Sequence, residues 1–385
     1  MISKNERTDV DMGVIDMLES DEKFMKLALS LAEKGRGYVN PNPLVGAVIV
    51  KDGKVIGEGY HTAFGKSHAE IEAINSATED IKGATMYVTL EPCCHQGKTP
   101  PCTEAIIKNQ LARVVVATTD PNPLVSGSGI EKLKQSNIEI TVGVLEEMAK
   151  IQNEVFIHYM TTNLPFTILK YAMSLDGKIA CHTGDSKWIT SEKSRTDVHR
   201  LRSSVSAVVT GIGTILSDDA SLNVRLIDSK GREPHRIVVD SAARISLDAK
   251  ILNLDSKSDT YIAVTEAASD EKLRKLEDYG AKIIMTKSKD GKVDLEELWK
   301  ELGFLGMDSI LIEAGEQLNA ALLEAKLVNK IRAYIAPKII GGTNAKSPIG
   351  GYGATNMSEV INLKSMNFTH VENDFVVEGY LCSQD

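Results

Sequence analysis

The chain is 385 residues long and 42 % apolar, which allows two ordinary domains with a core each. A net charge of −9 argues against a protein that coats nucleic acid, since phosphate contacts need clustered Lys and Arg, but it leaves room for a local basic pocket. No run of 18 apolar residues occurs, the acidic opening MISKNERTDVDMGVIDMLES has no signal-peptide core, and five unevenly spaced cysteines make no disulfide framework, so a reduced, cytoplasmic, non-membrane protein is expected.

Residues 1–20 read as a flexible N-terminal tail. EKFMKLALSLAEKG, residues 22–35, repeats apolar positions at helical spacing and ends on Gly35. NPNPLVG (40–46) is a turn feeding a strand, and LVGAVIV and KVIGEGY, joined by KDG, form a hairpin. HAEIEAINSA (68–77) is helical, ATMYVTL (84–90) a strand, CTEAIIKNQ (102–110) a helix and RVVVAT (113–118) a strand. IEKLKQSN and IEITVGV add a helix and a strand, and LEEMAKIQNEVFIHYMTTN forms a closing helix. This order describes a layered α/β domain, assigned to residues 21–160.

A second, larger α/β domain is assigned to residues 161–385. It opens with LPFTILKYAMSLDGKIA (164–180). Strand-like runs follow at SAVVTG (206–211), HRIVVD (235–240), TYIAVT (260–265), AKIIMT (281–286), MDSILIEAG (307–315), NKIRAYIAPKIIGG (329–342) and DFVVEGYL (374–381). Helical patterns such as DEKLRKLEDYG and EQLNAALLEAK lie between them. TGIGTILSDDASLNVR (210–225) is glycine-rich but lacks the G-x-G-x-x-G dinucleotide fingerprint. Its glycines, and EAGEQLNAAL (313–322) opening a helix, suit a phosphate bound on backbone N–H groups. Taken singly, each is more often a tight loop at a strand end.

The chemistry is clearest in the first domain. His68 and Glu70 sit at an expected helix start, and EPCCHQGKTPPC (91–102) follows. Cys93 and Cys102 are nine apart across a loop with Gly97, Pro100 and Pro101 that can bring both sulfurs to one point. One imidazole and two thiolates with an open fourth position describe catalytic zinc. Such an ion lowers the pKa of a bound water so that it attacks an electrophilic ring carbon, and Glu70, not a ligand, can shuttle the protons. This is the zinc nucleobase-deaminase pattern of H-x-E followed by Pro-Cys, except that the close C-x-x-C spacing is not met, because position 96 is Gln. A lone His or Cys is ordinarily packing or surface; the combination is not. A structural zinc completed by Cys94 or His95 is the alternative, and Cys94 competes with Cys93 for the ligand role.

Together these stretches resemble the bifunctional deaminase–reductase family of riboflavin biosynthesis. The resemblance rests on HAE, TLEPCCHQGKTPPC (89–102), NPLVGAVIV (42–50) and DPNPLVSGSGI (120–130), and covers residues 22 to about 380. It implies zinc on His68, Cys93 and Cys102, with Glu70 as proton shuttle and the long cysteine spacing as normal. It also implies substrate contacts at Asn42, His61 and Lys98. Asn42 suits a pyrimidine edge, His61 a ring or phosphate group, and Lys98 a ribose phosphate.

LKYAMSLDGKIA, TGDSKWITS, GIGTILSDD, LNVR and LIEAG are similar to the reductase half of that family. The implied folds are a cytidine-deaminase-like α/β/α domain and a dihydrofolate-reductase-like α/β domain. NADPH is implied as cofactor, touching Ala172, Trp188, Thr214, Asp218, Ser241 and the loop from Gly315. The phosphorylated substrate is implied to touch Ser186, Arg202, Leu222, Arg225 and Glu313, two arginines suiting a phosphate. Ala220 stands where relatives often carry proline, a change in loop stiffness only. Asp218, Lys170 and Glu313 are equal candidates for a general acid.

The expected reactions are hydrolytic deamination of 2,5-diamino-6-(5-phosphoribosylamino)pyrimidin-4(3H)-one and NADPH-dependent reduction of its ribosyl group, giving 5-amino-6-(5-phosphoribitylamino)uracil. The expected partner is that small molecule, with neither nucleic acid nor membrane, and the family's habit implies a homo-oligomer. Two rivals stand beside this reading: a cytidine or nucleic-acid deaminase fused to an unrelated reductase, and a zinc-stabilised binding module without activity.

Overall fold

The computed structural model describes residues 6–95, 100–122, 126–226 and 233–382, with side chains from Glu19 onward. Lys98, an expected substrate contact, lies outside the described residues. The chain divides after Thr162 into two compact units.

The first unit opens with α1 (Glu6–Glu33), then β1 (Gly46–Lys51), β2 (Lys54–Tyr60), α2 (Ala69–Asn75) and β3 (Thr85–Val88). It continues with α3 (Cys102–Lys108), β4 (Arg113–Val116), α4 (Ser128–Gln135), β5 (Glu139–Val142), α5 (Glu146–Gln152) and α6 (Glu154–Thr162). The sheet order is β2-β1-β3-β4-β5, antiparallel around β1 and parallel from β3 to β5. Asp52 and Gly53 both take positive φ, 49° and 72°, the two-residue turn that matches strand twist in a hairpin.

Strand alternation sends Ile49, Met86, Val88 and Val114 to one face, where Ala69, Ala73, Ile106 and Leu133 of α2, α3 and α4 cover them. Val48, Tyr87 and Val115 point to the other face, under Met25 and Ala28 of α1 and Ala149 of α5. This is the α/β/α layering expected from the sequence. Helix α2 touches β2 backbone to backbone: a Cβ on Gly59 would lie 2.3 Å from Ala69 O, so only glycine lets the helix start sit there.

Two local differences have physical causes. Helix α1 runs from Glu6, so backbone set aside as tail is helical; Glu, Met and Leu there favour a helix that the sparse apolar pattern did not reveal. The expected single closing helix is split at Asn153, whose side chain bonds both Leu44 N (2.8 Å) and Leu44 O (2.9 Å).

The second unit runs β6 (Phe166–Ser174), α7 (Glu192–Ser204), β7 (Ala207–Gly211), α8 (Ile212–Asp218), β8 (His235–Val239), β9 (Thr260–Val264), α9 (Asp270–Asp278) and β10 (Lys282–Met285). A small hairpin of β11 (Ser288–Lys289) and β12 (Lys292–Val293) follows. Then come α10 (Leu295–Phe304), β13 (Ser309–Ile312), α11 (Glu316–Glu324), β14 (Lys330–Ala336), β15 (Leu363–Val371) and β16 (Asp374–Leu381). Nine strands lie in the order β10-β9-β8-β7-β13-β6-β14-β16-β15. They are parallel from β10 through β14 and antiparallel for the last two pairings. Leu298, Trp299, Leu302 and Leu322 of α10 and α11 close one face over Leu169, Val209 and Ile310. On the other, Val198 of α7 packs on Tyr334 and Val376. The edge strand β15 was not expected from the sequence. It is exposed over nearly its whole length, so it carries no buried alternation to read.

Candidate active sites

In the first unit, the start of α2 and the start of α3 meet. His68 Nδ1 lies 3.5 Å from Cys93 Sγ and 3.3 Å from Cys102 Sγ, and the Cys102 amide donates to Cys93 Sγ at 3.3 Å. One ligand atom from each of the three falls within 4.8 Å of the others. Among the described residues this is the one such group, and it contains Cys93 and neither Cys94 nor His95. A hydrogen bond from Cys102 draws the Cys93 thiol down to about 4, while that contact and burial push Cys102 up. The Cys93 contact raises His68. The donor set is that of a three-ligand zinc site.

Glu70 sits one residue into α2, buried, with burial lifting its carboxyl to about 6 and the Cys102 side chain hydrogen-bonded to it. His61 and Asn42 stand beside the group. His61 Nε2 is 3.1 Å from Asn42 Nδ2, its Nδ1 is 3.0 Å from Ser67 O, and its ring meets that of His68 edge-on at 5.8 Å. Nδ1 faces the Ser67 carbonyl and donates to it, which leaves Nε2 to accept from the Asn42 amide, and burial lowers the His61 pKa. Asn153, by holding Leu44, fixes the loop that carries Asn42.

Glu91 is a functional residue missed from the sequence. Its buried carboxylate accepts four backbone N–H groups: Gly127 at 2.9 Å and Asp120 at 3.2 Å on Oε2, Gly129 at 2.9 Å and Ile130 at 3.3 Å on Oε1. It thereby ties Asp120, Gly127, Gly129 and Ile130 to the loop of Cys93. A Cβ on Gly129 would lie 2.1 Å from Pro92 O, so the glycine is a condition of this docking. The signal in the sequence was TLEPC paired with GSGI, two motifs whose contact only the fold reveals.

In the second unit, Glu313 follows β13 and lies between Arg202 of α7, which grips it through two nitrogens, and Lys170 of β6, at 3.1 Å. Burial alone would raise Glu313, but Arg202 and Lys170 outweigh it and hold the carboxylate well below its usual range. Arg202 also donates to Asn223 O at 2.9 Å. Burial, with Arg202 and Arg225 beside it, lowers His199 to about 4. Its Nδ1 accepts the Arg225 amide at 3.3 Å, and Arg225 reaches Ser221 Oγ at 3.2 Å. Buried Leu222 lies in the same loop. Lys170, Arg332 and Glu378 are register partners across β6, β14 and β16, and Asp197 and Glu378 neutralise Arg332.

The remaining expected contacts lie on other elements of this unit, and among the described residues no hydrogen bond or ion pair joins them to Glu313. Ala172 is two residues beyond Lys170, paired with Tyr334. Ser186 and exposed Trp188 lie on the segment before α7; Arg195 stacks on the indole at 4.4 Å and Lys338 donates to its carbonyl at 2.7 Å. Thr214 and Asp218 lie on α8, Gly315 caps α11, and Ser241 Oγ accepts from Val293 N at 3.1 Å.

Comparison with known proteins agrees with both halves. The cytidine and deoxycytidylate deaminase zinc-binding region matches residues 18–118, and the RibD C-terminal domain matches residues 165–377. The riboflavin biosynthesis protein RibD of Actinobacillus pleuropneumoniae is 41 % identical over 364 residues, 94 % of this chain and 96 % of that one. That of Aquifex aeolicus is 43 % identical over 359 residues, 93 % and 98 %. Among solved structures, Acinetobacter baumannii RibD superposes with a TM-score of 0.85 at 36 % identity, covering 95 % of this chain and 100 % of the other. A Thermotoga maritima diaminohydroxyphosphoribosylaminopyrimidine deaminase/5-amino-6-(5-phosphoribosylamino)uracil reductase superposes with a TM-score of 0.82 at 39 % identity, with the same coverage.

Proposed function

The chain belongs to the RibD family of bifunctional deaminase–reductases of riboflavin biosynthesis, and on that premise we propose how its residues divide the work. The enzyme acts on phosphoribosylaminopyrimidines: one unit deaminates, the other reduces. The substrate of the first step is 2,5-diamino-6-(5-phosphoribosylamino)pyrimidin-4(3H)-one, and the final product is 5-amino-6-(5-phosphoribitylamino)uracil.

His68, Cys93 and Cys102 hold zinc, which when bound supplies an activated water at neutral pH. Glu70, whose carboxyl near 6 exchanges protons readily, protonates the ring nitrogen and then the departing ammonia. Asn42 and His61 orient the pyrimidine, and Lys98 meets the ribose phosphate. The observation that carries this half is the convergence of one imidazole and two sulfurs beside a buried carboxyl.

NADPH supplies the hydride for the second step. Ala172, Trp188, Thr214, Asp218, Ser241 and Gly315 line its place, Trp188 as a flat apolar wall. Ser186, Arg202, Leu222, Arg225 and Glu313 form the substrate side, Arg225 meeting the phosphate while Arg202, taken up by Glu313 and the Asn223 carbonyl, orders the site. Of the three candidate acids, Glu313 is held ionised and Asp218 is exposed, so Lys170 delivers the proton to the opening sugar.

No helix among the described residues is long and apolar enough to cross a membrane. A cytoplasmic enzyme free of nucleic acid fits a small-molecule substrate and a net charge of −9. Exposed Ile339, Met357 and Phe368, with the edge strand β15, support a homo-oligomer, which sedimentation tests. The deciding assay supplies the diaminopyrimidine phosphoriboside. Without NADPH the product should carry oxygen in place of one amine; with it, the product should also gain two hydrogens. Turnover of free nucleosides regardless of the 5′-phosphate, or no turnover at all, would sink the proposal.

A further inference from the structure

Arg195 takes no part in the scheme above. It lies early in α7, half-buried, and its guanidinium stands 4.4 Å from the centre of the Trp188 ring, over one face. Two bonds fix that stack. Arg195 Nη1 donates to Thr190 O at 2.8 Å, and Lys338 Nζ donates to Trp188 O at 2.7 Å. The start of α7 is itself pinned, because buried Asp374 accepts from Ser191 N at 2.7 Å and from Ser194 Oγ at 2.6 Å. Among the described residues no carboxylate pairs with the Arg195 cation, so its charge rests on the indole face. Trp188 is nonetheless 61 % exposed, which leaves its other face open.

The face of an indole is negative and attracts a cation laid upon it. That matters for a wall against nicotinamide, whose ring is neutral in NADPH and positively charged in NADP⁺. A tryptophan with nothing behind it would hold the spent cofactor more tightly than the fresh one. Here a guanidinium already engages the back face. A cationic ring stacked on the front would stand ~8 Å from it, two stacking distances away. Between the screening of water and that of a protein surface, repulsion at this range shifts affinity roughly 3- to 30-fold. The neutral ring of NADPH is spared.

We propose that Arg195, acting through Trp188, sets the preference of the reductase for reduced over oxidised cofactor and so favours the exit of NADP⁺. This rests on the placement of nicotinamide against Trp188 proposed above. Arg195 is a positioning residue, since it touches neither substrate nor cofactor.

The test is calorimetric titration of the full chain with NADPH, NADP⁺ and 2′-phospho-ADP-ribose, which lacks the nicotinamide, for the wild type, Arg195→Gln and Arg195→Lys. A loosened indole alone weakens both dinucleotides alike, so the ratio of their affinities separates charge from support. In Arg195→Gln that ratio should move roughly 3- to 30-fold towards NADP⁺, with 2′-phospho-ADP-ribose unmoved. Arg195→Lys keeps the charge and should stay closer to the wild type than to Arg195→Gln. A ratio within about twofold of wild type in Arg195→Gln, or an equal shift in Arg195→Lys, overturns the role of Arg195 while leaving the reductase intact. A wild type that binds neither dinucleotide overturns the reductase assignment and this proposal with it.

Discussion

Replacing Glu91 by Gln changes one atom in a buried carboxylate that accepts four backbone N–H groups. Gln keeps one acceptor oxygen, enough for two of the four. The other two N–H groups then face an amide donor. Each buried donor left unmatched costs about 1–3 kcal/mol, and some water entry recovers part of it, so the loss should be about 2–4 kcal/mol. For a domain of this size that is roughly a 5–15 °C fall in midpoint. Both tryptophans, Trp188 and Trp299, lie in the second unit, so their emission follows that unit alone while far-UV circular dichroism follows both. The dichroic transition of the first unit should drop and the tryptophan transition should hold. A Glu91→Gln protein within about 2 °C of wild type would refute the account of Glu91, and a joint fall of both transitions would refute its confinement to the first unit.

Glu70→Gln should retain zinc at full stoichiometry and lose deamination by about 10²- to 10⁴-fold, as expected for removal of an acid–base group; a large residual rate in the mass-resolved assay would count against the proton-shuttle role. Arg202→Ala strips one partner from a buried ion pair and should destabilise the second unit by about 3–5 kcal/mol, weakening reductase substrate binding without touching deamination. Equal damage to both half-reactions would contradict the division of labour. His199 has a folded pKa near 4, below its unfolded value, so its contribution to stability is present above about 6.5 and fades as pH falls towards 4. The tryptophan-detected midpoint should therefore drop between pH 7 and 5, and a His199→Gln variant should show a shallower drop; identical slopes would exclude His199. Chelation of the metal should abolish deamination and leave reduction of the deaminated substrate unchanged, with both rates read on one sample.

The cluster of His68, Cys93 and Cys102 was legible because it joins rare residue types in a local pattern, within 35 residues. The central parallel strands were legible because they are buried on both faces and read as short apolar runs, as in AVVTG and SILI. The choice of Cys93 over Cys94 rested on the Pro92–Cys93 pair alone, since adjacent residues differ only in where the backbone aims them. The ion pair between Lys170 and Glu313 was not legible, because the two lie 143 positions apart and meet only across neighbouring strands. Glu91 and Asn153 were invisible for a different reason: their partners are backbone groups 36 and 109 positions away, which leave no side-chain signature.

The bond between Asn153 and Leu44 bears on how the gene can be cut. Every motif that names the chemistry of the first unit has passed by residue 130, which invites a trimmed version ending there. Such a fragment would keep its metal ligands and yet lose the side chain that replaces a missing strand partner for Leu44. The loop presenting Asn42 would be released, and with it the pyrimidine contact proposed for that residue. A separable first unit must therefore extend at least through Asn153, and a split before it should spare the His68, Cys93 and Cys102 cluster while loosening the Asn42 loop.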